Sequence, residues 1–358
     1  MAGTAGSDRR IPELLEVEEP ARDLDWLKKS LQTAVELELA TIPVYLSGMW
    51  SIKAMEGEVF KLIKSVVMEE MLHLGLACNM LKAIGGSPKL RDQVPDYPCP
   101  LPGGVGVPEG EHDPVTVYLA GLSKDSVEMY MNIERPEHPL AGRTGATHTI
   151  GKFYDAILLA FQSMNPALSP AGQRTSPFFS VSVPKPSGEF SDLAEPLRAI
   201  ATLGDVKKAI KTIKDQGEGT EASPDAMLDS DSSELAHFYR FGEIFHGKRL
   251  NPVDVQFDGD PVLFPDPSEL FPVAKVPKGG YPDRPEVHAE LQAFNEAFTR
   301  VITGLEAAWA GEGDPDELPG EPIGAMFELG DKAQAVMRIR IPDDPQHQHF
   351  GPDFRVIQ

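Results

Sequence analysis

Cysteine is nearly missing from this chain of 358 residues, which has two. Cys78 falls in an apolar helical stretch and Cys99 in a Pro-rich loop, at a spacing that fits no zinc site, and a disulfide framework is excluded. Cationic residues are also short, 33 Lys plus Arg against 55 Asp plus Glu, for a formal net charge of -22. A field of that sign repels phosphate backbones and anionic lipid, so neither nucleic acid nor a membrane is an expected partner. No uncharged apolar run approaches the roughly 20 residues of a membrane helix, and Met1 to Arg10 lacks the apolar stretch of a signal peptide. The cytoplasm is the expected compartment. A glycine-rich phosphate loop, a nucleophile elbow and a basic aromatic groove are absent too, which argues against nucleotide, acyl-transfer and RNA functions.

What the chain does have is apolar material in helical order. Hydrophobic residues make up 41% and charged residues 25%, ordinary for a globular protein with a sizeable core. The length exceeds the usual single domain, yet one bundle with long excursions reaches it. Leu24, Leu27, Leu31, Ala34, Ile42, Tyr45 and Met49 recur at steps of three and four or their sums, predicting a helix from Asp23 to about Ala54. A second is predicted from about Gly57 to Ile84, stopped by Gly85-Gly86, and the two should pair as an antiparallel hairpin. Shorter helices are expected at Ser123 to Ile133, Ile150 to Ser163, Leu203 to Gln216 and Ser232 to Phe245, then at His288 to Ala310 and Ile323 to Met337. The Pro- and Gly-rich stretches between them should wrap the bundle and shape a pocket. The expected division is an extension at 1–22, a metal-binding bundle at 23–250 with an insertion at about 89–200, and at 251–358 a wrapping loop, C-terminal helices and a tail packed on the same domain.

Carboxylates interrupt the apolar stripes. Glu38 lies on the stripe of the first helix, and an ionised carboxylate in a core needs a cation or a hydrogen-bonding network. Taken alone, it is equally explained as a core glutamate satisfied by a tyrosine or an arginine. Glu36 turns the other way, onto a polar side with Gln32 and Lys29. On the second helix Glu70 and His73 share a face with Val59, Ile63, Val66, Ala77 and Leu81. Glu-x-x-His is how bundle helices offer a carboxylate and an imidazole to one ion, and that donor pair suits iron or manganese. Glu69 is a rival for Glu70. With the turn near Met55 to Gly57, Glu38 and Glu70 lie about 18 and 14 residues from it, roughly one helical turn apart in height. A second Glu-x-x-His, Glu234 and His237, follows a possible cap at Asp231-Ser232-Ser233. Di-iron bundles take one glutamate from each of two helices and a Glu-x-x-His from each of the other two. Glu38 is one single glutamate; Glu134 and Glu218 compete for the other. Glu243 and His246 form a third such pair, assigned to a solvated face, and Arg240 and Tyr239 are candidates to support the donors.

At these residues the chain resembles a known family. The run from Leu31 to Pro43, Glu69-Glu70-Met71-Leu72-His73-Leu74, Ile133-Glu134-Arg135-Pro136-Glu137, Gln216-Gly217-Glu218-Gly219 and Glu234 to Phe241 together resemble the ferritin-like domain family. It includes domains of the iminophenyl-pyruvate dimer synthases of violacein and rebeccamycin type, enzymes of bis-indole pathways. The resemblance continues to Gly351-Pro352-Asp353-Phe354 and is more specific for the domain than for a reaction. It implies a mostly α, ferritin-like four-helix bundle with long Pro/Gly-rich insertions and extra C-terminal helices, serving bacterial secondary metabolism. Glu38, Glu70, His73, Glu134, Glu218 and His237 occupy its motif positions, and Glu234 does so less firmly. The expected function is a non-haem oxidoreductase, di-iron first with manganese and haem left open, using dioxygen or peroxide on a small, amino-acid-derived substrate. The alternatives are a ferroxidase or iron-storage protein, and a non-catalytic bundle assisting a larger pathway enzyme. A homo-oligomer is a further expected assembly.

Overall fold

The longest helix is buried almost all round, and that decides how everything else is arranged. Helix α2 (Leu24–Trp50) starts where the Asp23 side chain accepts the Trp26 N–H at 2.8 Å, and it runs unbroken through Pro43. From Ser30 to Trp50 only Gln32 escapes burial, so this helix must be covered on every side. Helix α3 (Glu58–Ala83) returns antiparallel to it and ends at Gly85, whose positive φ of 74° lets the Gly86 N–H reach back to Leu81 O. In this computed structural model the described residues are 10–104, 115–136, 149–175, 180–184, 190–194, 197–217, 235–251, 255–311 and 320–357.

Short helices complete the bundle. Helix α1 (Arg10–Glu16) lies on α2. Helix α4 (Lys124–Ile133) is capped by reciprocal Ser123 and Ser126 bonds, and α5 (Ile150–Met164) by Thr149. Helix α6 (Leu203–Gly217) pairs with α5, and α7 (His237–His246) with α4. These four cover the hairpin: α4 and α5 touch α2, while α6 and α7 touch α3. Gly48 makes one approach possible, since a Cβ there would stand 2.2 Å from Tyr130 Oη. The C-terminal hairpin of α8 (His288–Ala310) and α9 (Gly320–Met337) meets α2 through α9. Gln334 Nε2 donates to the carbonyls of Trp50, Ile52 and Lys53, at and just beyond the end of α2. The strands are minor: β1 (Cys99–Pro100) pairs with β2 (Thr116–Val117), and β3 (Ser180–Pro184) with β4 (Phe190–Ala194), both antiparallel. Among the described residues no helix is long and apolar enough to cross a membrane.

Three expectations need correction. Glu36 is not on a polar face, because α1 covers that side of α2; the carboxylate is buried, paired with Arg10 and bonded by Gln32. Glu243 is not solvated: it is 1% exposed and accepts from Arg249 Nη1 at 2.6 Å and the Leu250 N–H at 2.9 Å. The chain after α7 folds back, with Val262 N–H on Gly247 O, and buries it. Last, α7 begins at His237 with Ala236 as its cap, not near Ser232.

Asn79 ties the two hairpins together. Its Oδ1 accepts from the Arg174 N–H at 3.0 Å and Trp309 Nε1 at 2.9 Å, and its Nδ2 donates to the carbonyls of Arg174 and Arg198. Asn79→Leu strands at least two buried donors at about 1–3 kcal/mol each. The expected loss is about 3 kcal/mol or more, read from urea unfolding; a loss below 1 kcal/mol, the worth of one ordinary hydrogen bond, would show that the network does not hold the hairpins.

Candidate metal centre

Five donor side chains converge inside the bundle: Glu38 from α2, Glu70 and His73 from α3, Glu134 from the residue capping α4, and His237 from the first turn of α7. All are at least 95% buried. They form two overlapping groups, Glu38 with Glu70 and His73, and Glu70 with Glu134 and His237, and within each the donor atoms lie within 4.8 Å of one another. Glu70 belongs to both. Its Oε1 is 3.4 Å from His73 Nδ1 and 3.0 Å from His237 Nδ1, a position from which one carboxylate can bridge two ions. His73 Nδ1 is 3.8 Å from Glu38 Oε2, and His237 Nδ1 is 3.6 Å from Glu134 Oε2.

Each donor is held from outside. Tyr154 donates to Glu38 Oε1, Tyr45 to Glu134 Oε1 and Thr41 to Glu70 Oε2, each at 2.5 Å. Gln216 Oε1 lies 2.8 Å from His73 Nε2, and Glu69 Oε2 lies 2.8 Å from His237 Nε2. Arg240 in turn grips Glu69 at 3.0 and 3.1 Å. Both imidazoles therefore spend the outer nitrogen on an acceptor, which fixes the proton on Nε2 and turns the Nδ1 lone pair inward.

His237 Nδ1 is the test of whether a metal suits this donor set. It is fully buried and has no hydrogen-bond partner, although a carboxylate oxygen stands 3.0 Å away. Two lone-pair atoms at that separation repel unless something positive lies between them. Donors bonded at about 2.0–2.2 Å to a shared cation sit about 3 Å apart when they are at right angles. Oxygen and imidazole without thiolate suits iron or manganese.

The charges carry the same strain. Burial, and then the neighbouring Glu70, push the Glu38 carboxyl up to about 8. Burial also raises Glu70, but the neighbouring imidazoles of His237 and His73 outweigh it and hold that carboxyl well below its usual range. Against the desolvation that lowers them, Glu134 raises His237 and Glu70 raises His73. A cavity of about 20 Å³, room for about one water, opens on the site, lined by Glu38, Glu70, His73 and Glu134 together with apolar Leu37, Ile133, Ile150 and Ile213, and by Lys214.

Of the residues chosen from sequence, Glu38, Glu70, His73, Glu134 and His237 meet here. Glu218 and Glu234 lie outside the described residues. Gly217 ends α6 where a Cβ would stand 3.6 Å from Glu134 Oε2, so the chain leaves for residue 218 at the edge of the site. Helix α7 begins at His237, with Ala236 as its cap. Tyr239 packs with Leu235 and Leu250 away from the donors. Thr41, Tyr45, Tyr154 and Gln216 were not singled out as site residues. Thr41 and Tyr45 do stand three and seven positions beyond Glu38 on one helical face, a signal a closer look at the stripe would catch.

A sequence profile described as Ferritin-like matches residues 31–246. Among solved structures, a ferritin-like protein from Caulobacter vibrioides superposes with a TM-score of 0.58 at 22% identity, covering 88% of this chain and 96% of that one. At that identity the likeness is one of fold. No protein of curated function matches the chain.

Proposed function

The chain belongs to the ferritin-like family, and we propose that its five converging donors hold two iron ions in a non-haem centre that oxidises a small organic substrate with dioxygen or peroxide. The observation that carries this is the orientation of the imidazoles: both outer nitrogens are engaged and both inner ones face carboxylates, one of them with no hydrogen bond at all. Bound iron would supply Lewis acidity and one-electron redox chemistry that no side chain here possesses. Glu38 and His73 would hold one ion and Glu134 and His237 the other, with Glu70 shared.

The remaining residues work on position and access. Tyr45, Tyr154 and Thr41 spend their hydroxyl protons on the carboxylate oxygens turned away from the centre, which fixes each carboxylate's rotation. The apolar side chains around the cavity limit water at the donors. Lys214, paired with Asp155 at 2.6 Å at the same pocket, offers a counter-charge to a carboxylate, as an amino-acid-derived substrate of bacterial secondary metabolism would carry.

Protein prepared from iron-supplemented cells without chelator is expected to carry about two transition-metal ions per chain by elemental analysis. It should also consume dioxygen or peroxide faster in the presence of small amino-acid-derived acids. A clean absence of transition metal would overturn the proposal, and metal loading far beyond two ions would turn it toward iron handling.

A further inference from the structure

The two imidazoles are not backed alike. Behind His237 stands a carboxylate, Glu69, itself held by the Arg240 guanidinium. Behind His73 stands only the neutral amide of Gln216, at the same 2.8 Å. A hydrogen bond to a carboxylate raises the basicity of a ligating imidazole, and a charge-assisted bond is roughly twice as strong as a neutral one. Access differs in the same sense. Glu38, Glu70, His73 and Glu134 all line the cavity, and of the five donors only His237 stays out of it, with no exposed surface.

Resting on the metal-centre reading above, we infer that Glu69 and Gln216 are positioning residues that make the two halves of the centre unequal. Glu70, Glu134 and His237 form the tight position, built on the imidazole that has no exposed surface. Glu38, Glu70 and His73 form the weaker position, which exchanges its ion and meets substrate and oxidant. The distances to the shared carboxylate agree: Glu70 Oε1 is closer to His237 Nδ1, at 3.0 Å, than to His73 Nδ1, at 3.4 Å. The His237 half is the tighter cage.

The test is a titration of the full-length, metal-free protein with cobalt(II) alone, followed by visible absorption and calorimetry, with no enzymatic assay. Wild type should bind in two steps whose dissociation constants differ by about tenfold or more. Gln216→Leu should weaken the second step by about 10–100-fold and leave the first unchanged. Gln216→Glu, which places a carboxylate behind His73, should tighten the second step by about tenfold or more and change only that ion's absorption band. Two equal steps in wild type, or a Gln216→Leu loss shared by both steps, would overturn the inequality and leave the metal centre standing. No cobalt bound by wild type would sink both. Should Gln216→Leu not fold, Gln216→Glu decides, and an unchanged second step overturns the inference.

Discussion

Glu70→Ala is expected to lose both ions at once, with metal content falling by more than about tenfold. The bound comes from the 10–100-fold that even an outer partner of a metal ligand is worth, whereas Glu70 is the one carboxylate common to both donor groups. Helical content should stay within error by circular dichroism, because alanine is the best helix former and the change removes a buried charge. Glu36→Ala is the control. Glu36 is equally buried on the neighbouring helix but pairs with Arg10 instead of facing the centre, and that variant should keep its metal. Full metal content in Glu70→Ala would remove the centre from this part of the fold.

Arg240→Met should cost about 3–5 kcal/mol of unfolding free energy, because it leaves the Glu69 carboxylate buried and ionised without its cation. Neither partner has access to water to soften the loss: Arg240 is 0% and Glu69 1% exposed. The guanidinium also donates to Leu235 O and Ser65 Oγ, so the loss spreads to the residues just before α7. Arg240→Met combined with Glu69→Leu should recover only part of the cost, since it removes the unpaired carboxylate but leaves His237 Nε2 and Leu235 O without these partners. By contrast Lys211→Ala, which breaks a pair between an exposed lysine and the partly covered Asp215, should change stability by less than about 1 kcal/mol. Equal losses at the two pairs, measured by urea unfolding, would contradict the burial argument.

Much of the site was legible because a charge on an apolar stripe is costly and therefore informative. Glu38, Glu70 and His73 announced themselves in that way, and the hairpin length placed them at matching depth. The same logic misjudged Glu36 and Glu243. A helix's own periodicity separates faces, but it cannot show that another segment, α1 or the chain after Gly247, will come to cover the polar one. It also started α7 too early, near Ser232, because the pattern of spacing does not reveal that the helix begins at His237.

The sequence by itself determined the helical class, the central hairpin and the residue types that must find partners in the core. These are properties of neighbours three and four apart, written into the local order of apolar and polar side chains. Only the tertiary structure decided who those partners are. Glu69 and Glu70 are adjacent, equally buried, and about 100° apart around α3; one is turned to Arg240 and the outer nitrogen of His237, the other to the inner nitrogens of both imidazoles. Gln216 backs His73 across 143 residues of chain, a contact set by how α6 docks against α3 and by nothing in the spacing of either helix.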